Sequence, residues 1–156
     1  MRKLNIALVA HDGRKKEFIE WVSANALILS LHKLYATGTT GRLISEIESS
    51  DGSRPFDRNV HRLLSGPLGG DQQIGAMIAE RKIDMLIFFC DNLIMQGHQN
   101  DVSALTRLAS LYNIAFATNR TTADLILTSS LLQDDSYTIT VPSCVTTYTQ
   151  RNIEGL

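Results

Sequence analysis

Ile83-Asp84-Met85-Leu86-Ile87-Phe88-Phe89 carries the strongest strand signal in the chain. It is nearly all apolar, without the in–out alternation of a half-exposed strand, as expected of a strand covered on both faces. The apolar run closes at Cys90 and a polar loop, Asp91 to Asn100, follows. Beyond the loop, Val102, Leu105, Leu108, Ala109 and Tyr112 recur at helical spacing, and Ile114 to Ala117 reads as another short strand. Upstream, Asp71 opens a helix whose inner face is Ile74, Met77 and Ile78, and Val60 to Leu64 precedes it as a strand.

The same alternation extends to both ends. Leu4 to Ala10 is an apolar run that stops at His11-Asp12-Gly13, and a helical pattern through Phe18, Trp21, Val22, Asn25, Ala26 and Leu29 follows. Leu34 to Ala36 is a strand ended by Thr37-Gly38-Thr39-Thr40-Gly41, with a short helix expected over Arg42 to Glu48. Ser49 to Asn59 is polar, carries Gly and Pro, and reads as an excursion loop. Thr121 to Thr128 reads as a helix and Tyr137 to Val141 as a last strand, while the polar tail after Pro142 has weak helical tendency. Strands alternating with helices at this spacing imply crossover connections and a mostly parallel sheet between helices.

Composition sets the bounds. The chain has 156 residues, 44% apolar and 20% charged, which suits one domain with a real core. Fifteen Lys and Arg against sixteen Asp and Glu give a net charge of −1, so no global field recruits nucleic acid or an anionic membrane. The longest apolar run, Met85 to Cys90, falls far short of the roughly 18 residues that a membrane span needs. Met1-Arg2-Lys3 leads straight into a core strand without a signal region. Cys90 and Cys144 make neither a disulfide scaffold nor a metal-ligand pattern. A soluble, reduced, cytoplasmic, single-domain protein spanning 1–156 is expected.

In parallel sheets, ligands bind beyond the carboxyl ends of the strands. Five polar loops fall there: His11-Asp12, Thr37 to Gly41, Ser65 to Asp71, Asp91 to Asp101, and Thr118-Asn119. Thr37 to Gly41 offers hydroxyls and N–H groups to an anion, although a polar turn with a Thr cap would look the same. Ser65-Gly66-Pro67-Leu68-Gly69-Gly70 places three glycines just before a helix, consistent with a backbone that skirts a ligand or with a plain tight turn. Asp71 either complements the helix dipole or serves as a general base, since phosphate binding has no use for a carboxylate. Asp101 reads as a helix cap or a catalytic residue, His98 as a solvated loop histidine or a substrate ligand. Arg14 and Lys15 are solvated cations or phosphate partners, and Cys90 is an inert thiol at a strand end. Together, carboxylates and an imidazole beside a phosphate cradle are the inventory for removing a proton α to a carbonyl in a small phosphorylated sugar.

The runs Ile6 to Asp12, Tyr35 to Gly41 and Leu64 to Gln73, with Leu86 to Phe89, Asp91, His98, Asp101, Arg107 to Ala109 and Ala117 to Asn119, resemble methylglyoxal synthase. The resemblance runs from about Leu4 to Val141, and the Ser-Gly-Pro-x-Gly-Gly-Asp-Gln-Gln segment joined to Thr-Gly-Thr-Thr-Gly is its specific part. It implies a three-layer α/β domain around a five-stranded, mostly parallel sheet with helices on both faces, assembled as a homohexamer. It also implies a carbon–oxygen lyase that converts dihydroxyacetone phosphate to methylglyoxal and inorganic phosphate without metal or organic cofactor. Phosphate, as product, is then an inhibitor as well. Carried over, Lys15, Thr37, Thr39, Thr40, Ser65 and Gly66 hold the phosphate, and His11 and His98 face the substrate oxygens. Asp71 is then the base and Asp101 assists in proton handling.

The chain departs from the family pattern in two motifs, in a longer Ser49 to Asn59 loop and in a less obviously helical tail after Pro142. Cys90-Asp91-Asn92 stands where Trp-Asp-Pro is common, and Gly97-His98-Gln99-Asn100 where Pro-His-Asp-Pro is common. Arg151 matches a family arginine near a neighbouring subunit's site. A regulatory module that binds a phosphorylated ligand without transforming it would share the phosphate motifs. It would have no need of Asp71, His98 and Asp101.

Overall fold

The computed structural model describes residues 2–94, 97 and 99–151. Five strands form one sheet in the order β3-β2-β1-β4-β5: β1 (Asn5–Ala10), β2 (Lys33–Thr37), β3 (Val60–Leu63), β4 (Met85–Phe89) and β5 (Ala115–Ala117). Every neighbouring pair is parallel, with Ile6 opposite Met85 and Ala10 opposite Phe89 across the central β1–β4 pair.

Both central strands are buried on both faces, which explains their unbroken apolar runs. On one face, Ile6, Leu8, Ile87 and Phe89 pack with Phe18 and Trp21 of α1 (Lys15–Ala24), Ile44 of α3 (Gly38–Ser45), and Ala123 and Leu127 of α6 (Arg120–Leu127). On the other, Ala7, Val9, Leu86 and Phe88 meet Ile74 and Ile78 of α4 (Gly70–Ala79) and Val102 and Leu105 of α5 (Gln99–Leu111). This is the expected helix–sheet–helix layering. Strand order reverses at β1, since β2 lies to one side of it and β4 to the other, so the crevice of a doubly wound sheet opens beyond the ends of β1 and β4.

Several local expectations are corrected. The segment Thr37 to Gly41 is not a loop before a helix at Arg42: α3 begins at Gly38 and takes Thr39, Thr40 and Gly41 into its first turn. Tyr137 to Val141 forms no strand. Its alternation suits a strand, but its residues are mostly exposed and it makes no ladder with β5; the Asn113 side chain reaches it instead, donating from Nδ2 to the Thr140 carbonyl at 3.0 Å. Past Pro142 the chain turns helical as α8 (Ser143–Gln150), with Val145 its buried residue. The helical pattern after β1 breaks at Asn25 into α1 and the single turn α2 (Ala26–Leu29). A second single turn, α7 (Ser130–Gln133), follows α6. The 49–59 excursion is a loop as expected, but it drives Phe56 fully into the core, which polarity alone did not indicate. Among the described residues no helix is long and apolar enough to cross a membrane.

Candidate active site

Two glycine turns meet where β2 and β3 end. The Gly38 N–H donates to the Leu64 carbonyl at 3.1 Å. A Cβ on Gly38 would lie 2.3 Å from Ser65 Oγ, so only glycine lets the α3 N-terminus sit against the Ser65 turn. Gly70 is required for the same reason: its Cβ would fall 2.1 Å from the Leu64 carbonyl oxygen. The turn is closed by the Ser65 carbonyl, which accepts from the N–H groups of Leu68 and Gly70 at 2.9 and 3.0 Å. Gln73 Oε1 accepts from the Leu64 N–H at 2.9 Å and ties the end of β3 to α4. That gives the second glutamine of the motif a structural role the motif itself does not reveal.

The consequence is a cleft of about 570 Å³ at the carboxyl ends of the strands. His11, Lys15, Thr37, Thr39, Thr40, Ser65, Gly66, Asp71 and Asp101 all line it. Nine of the ten positions singled out from sequence thus come together; the tenth, His98, lies outside the described residues. Val9, Ala10 and Phe88, at the strand ends, supply apolar walls that no polar motif flagged. Of the five loops expected on this rim, Thr118-Asn119 does not reach the cleft. Asn119 caps α6, its side chain accepting from the Thr122 N–H at 3.0 Å, and the Thr118 carbonyl accepts from the Cys90 N–H.

Several donors line the cleft. Thr40 is 1% exposed, and among the described residues its hydroxyl has no hydrogen-bond partner. Buried hydroxyls are nearly always satisfied, so this one fits an oxygen-rich ligand. Thr39 and Thr40 lie in the first turn of a helix that has no side-chain cap, where backbone N–H groups point outward and favour an anion. Lys15 brings its ammonium to the same cleft and pairs with the well-exposed Asp12.

A buried carboxylate lines the same cleft. Asp71 is 2% exposed in the first turn of α4. Asp101 stands in the first turn of α5. Because α5 starts at Gln99, Asp101 is the third helical residue and not its cap, so the capping role is corrected. The His11 ring packs edge-on against Phe88 at 4.9 Å. Its Nδ1 accepts from the Asp91 N–H at 2.8 Å, which leaves the proton of the neutral ring on Nε2 as a donor. Cys90, beside the cleft, is buried, and burial pushes its thiol up to about 11, in keeping with an inert thiol. Arg14 does not line the cleft and bonds the Cys90 carbonyl instead, so of its two readings the phosphate partner falls away.

A second cavity, of about 420 Å³, opens at the opposite end of the sheet among Leu4, Met85, Ile114, Ile126 and Tyr137, and none of the sequence-predicted site residues borders it.

The chain is similar to known proteins over most of its length. Residues 17–118 match the family model described as MGS-like domain. Methylglyoxal synthase of Yersinia enterocolitica is 51% identical over 139 residues, covering 89% of this chain and 86% of its own. That of Proteus mirabilis is 53% identical over 132 residues, covering 85% and 82%. The crystal structure of methylglyoxal synthase from Elizabethkingia anophelis NUHP1 superimposes with a TM-score of 0.82 at 43% identity, covering 99% of this chain and 95% of that one. On the similarity of sequence, fold and length alike, this chain belongs to the methylglyoxal synthase family of carbon–oxygen lyases.

Proposed function

We propose that the cleft converts dihydroxyacetone phosphate to methylglyoxal and inorganic phosphate, with Asp71 as the base. The observation that carries this reading is the presence in one cleft of a buried carboxylate, Asp71, and a Thr40 hydroxyl with no partner among the described residues. A cradle that only sensed phosphate would be weakened by a buried carboxylate beside it. An enzyme that strips a proton from a phosphorylated carbon skeleton requires one.

Thr37, Thr39, Thr40, Ser65, Gly66 and Lys15 hold the phosphate. Asp71 takes a proton from the hydroxymethyl carbon, and the electron pair of that C–H bond becomes the new C=C of an enediolate. His11, through Nε2–H, and His98 donate to its oxygens, where charge develops. The C–O bond to phosphate is held out of the enediolate plane, so the π electrons expel phosphate, which leaves with the electron pair of that bond. The cradle and Lys15 stabilise it. As phosphate leaves, the former hydroxymethyl oxygen gives up its proton and becomes the aldehyde; the enolate left behind takes a proton on its methylene carbon and becomes methylglyoxal, with Asp101 assisting the proton transfers. A single domain over 1–156, a homohexamer, a cytoplasmic location and inhibition by the product phosphate complete the reading.

The test is incubation of the purified protein with dihydroxyacetone phosphate, trapping methylglyoxal with a hydrazine and measuring phosphate in parallel. Equal yields of both are expected, with no methylglyoxal from glycerol 3-phosphate, which has no carbonyl to acidify the proton. Phosphate binding without methylglyoxal formation would leave a sensor module instead.

A further inference from the structure

The peptide unit joining Cys90 to Asp91 is held at both of its polar ends. Its N–H, from Asp91, donates to His11 Nδ1 at 2.8 Å. Its carbonyl, from Cys90, accepts from Arg14 Nη1 at 3.0 Å. The guanidinium is itself fixed: Nε and Nη2 donate to Glu17 Oε2 at 2.9 and 2.7 Å, and the carbon at its centre stands 5.8 Å from the centroid of the Phe89 ring. Arg14 sits in the turn that follows β1, Cys90 and Asp91 in the loop that follows β4. The contact therefore spans the switch point of the sheet.

We propose that Arg14 is a positioning residue for the reaction, acting through this one peptide plane to set the tautomer of His11. Two physical effects run in the same direction. A cation on the carbonyl oxygen polarises the peptide and strengthens the N–H donated to His11. It also resists rotation of the plane, and rotation is what matters chemically. A half-turn would present the carbonyl to His11 in place of the N–H, and an imidazole facing a carbonyl puts its proton on Nδ1. Nε2 would then lose the hydrogen that it offers to the developing oxyanion. The Arg fork suits this task because one face of it can grip Glu17 while the remaining nitrogen reaches the carbonyl. Lysine has no such fork. Arg14 lies outside the cleft, so its effect on turnover is exerted through His11 and not through phosphate.

The inference rests on the proposed role of His11 as an oxyanion donor, and its test has an arm that does not depend on activity. In the full-length protein, long-range ¹H–¹⁵N correlation of labelled histidines reads the His11 tautomer, assigned by comparison with His11→Asn. Kinetics on dihydroxyacetone phosphate read kcat and KM for the parent, Arg14→Met and Arg14→Lys. Arg14→Met keeps the aliphatic stem and removes every donor. It is expected to lower kcat by about ten- to a hundredfold, the range for a misplaced catalytic group, with KM nearly unchanged. Its His11 signals should shift from a pure Nε2–H form towards a mixture. Arg14→Lys should recover part of both, because one ammonium can serve the carbonyl or Glu17 but not hold both in plane. A merely structural Arg14 would lower the melting temperature and leave the tautomer alone. Arg14→Met with parental kcat, or with reduced kcat and an unmoved His11 spectrum, overturns the proposal. A parent protein that makes no methylglyoxal would overturn the functional reading instead, while the tautomer comparison would still report on the linkage.

Discussion

Replacing Asp71 by Asn removes a base while leaving almost everything else in place. The amide is close to isosteric with the carboxylate, and the turn that precedes it is shaped by Gly70 and the Ser65 carbonyl, which the change does not touch. Asn at a helix start forfeits the dipole contribution of a carboxylate, so the fold should lose at most about 1 kcal/mol. The chemical loss is larger. A positioned general base is worth about 10²–10⁴-fold, which is roughly 2.7–5.4 kcal/mol in the barrier at 1.36 kcal/mol per decade. Asp71 is 2% exposed, so bulk water has little access from which to substitute for it. Phosphate affinity should hold or rise, because a negative charge beside the cradle is gone. The assay is initial-rate kinetics on dihydroxyacetone phosphate, with phosphate binding by calorimetry and a thermal melt as the fold control. A variant retaining more than about a tenth of parental turnover has lost under roughly 1.4 kcal/mol. That result would return Asp71 to a helix-dipole role and make Asp101 the leading base.

Thr40→Val removes the unpartnered buried hydroxyl; phosphate affinity should fall by about 1.5–3 kcal/mol, the worth of a hydrogen bond to a charged group, without loss of stability. Unchanged affinity by calorimetry would remove Thr40 from the cradle. Gly70→Ala should destabilise by about 1–3 kcal/mol from overpacking against Leu64, and should lower kcat by displacing Asp71; a denaturant midpoint equal to the parent's would contradict the close approach. His32 is fully buried, its Nδ1 accepts from the Leu4 N–H at 3.3 Å, and burial holds its pKa below the ordinary 6.5 against the opposing pull of Asp84. Below pH 6.5 the unfolded chain takes up a proton that the native imidazole refuses, so this stability is complete above that pH and falls as the pH drops. His32→Gln should therefore show a smaller acid loss of urea midpoint than the parent, and parallel curves would refute the assignment. Light scattering should give six times the chain mass, and a monomer would end the hexamer reading.

Much of this protein is determined by local sequence. The unbroken apolar run through Phe89 announces a strand buried on both faces, and hydrophobic periodicity places the helices that cover it. The rule that loops beyond strand ends carry chemistry then gathers nearly all of the site, because a parallel sheet puts every such loop on one rim. Errors arise where a local pattern lacks a tertiary partner or gains one. Tyr137 to Val141 alternates like a strand, yet no ladder from β5 meets it. Phe56 sits in a polar stretch and is fully buried in the core cluster on the α1 face of the sheet. Gly38 to Gly41 reads as a turn, but the close approach of the Ser65 turn allows the helix to start three residues earlier than the end of that glycine segment. Which polar groups face one another is set by packing across the sheet. Arg14 and Lys15 are neighbours in sequence, and one turn of chain sends the first to the Cys90 carbonyl and the second into the cleft. The tautomer of His11 depends on a peptide N–H eighty residues away. No local propensity encodes such a contact, because a hydrogen bond across the switch point of a sheet exists only once β1 and β4 have paired.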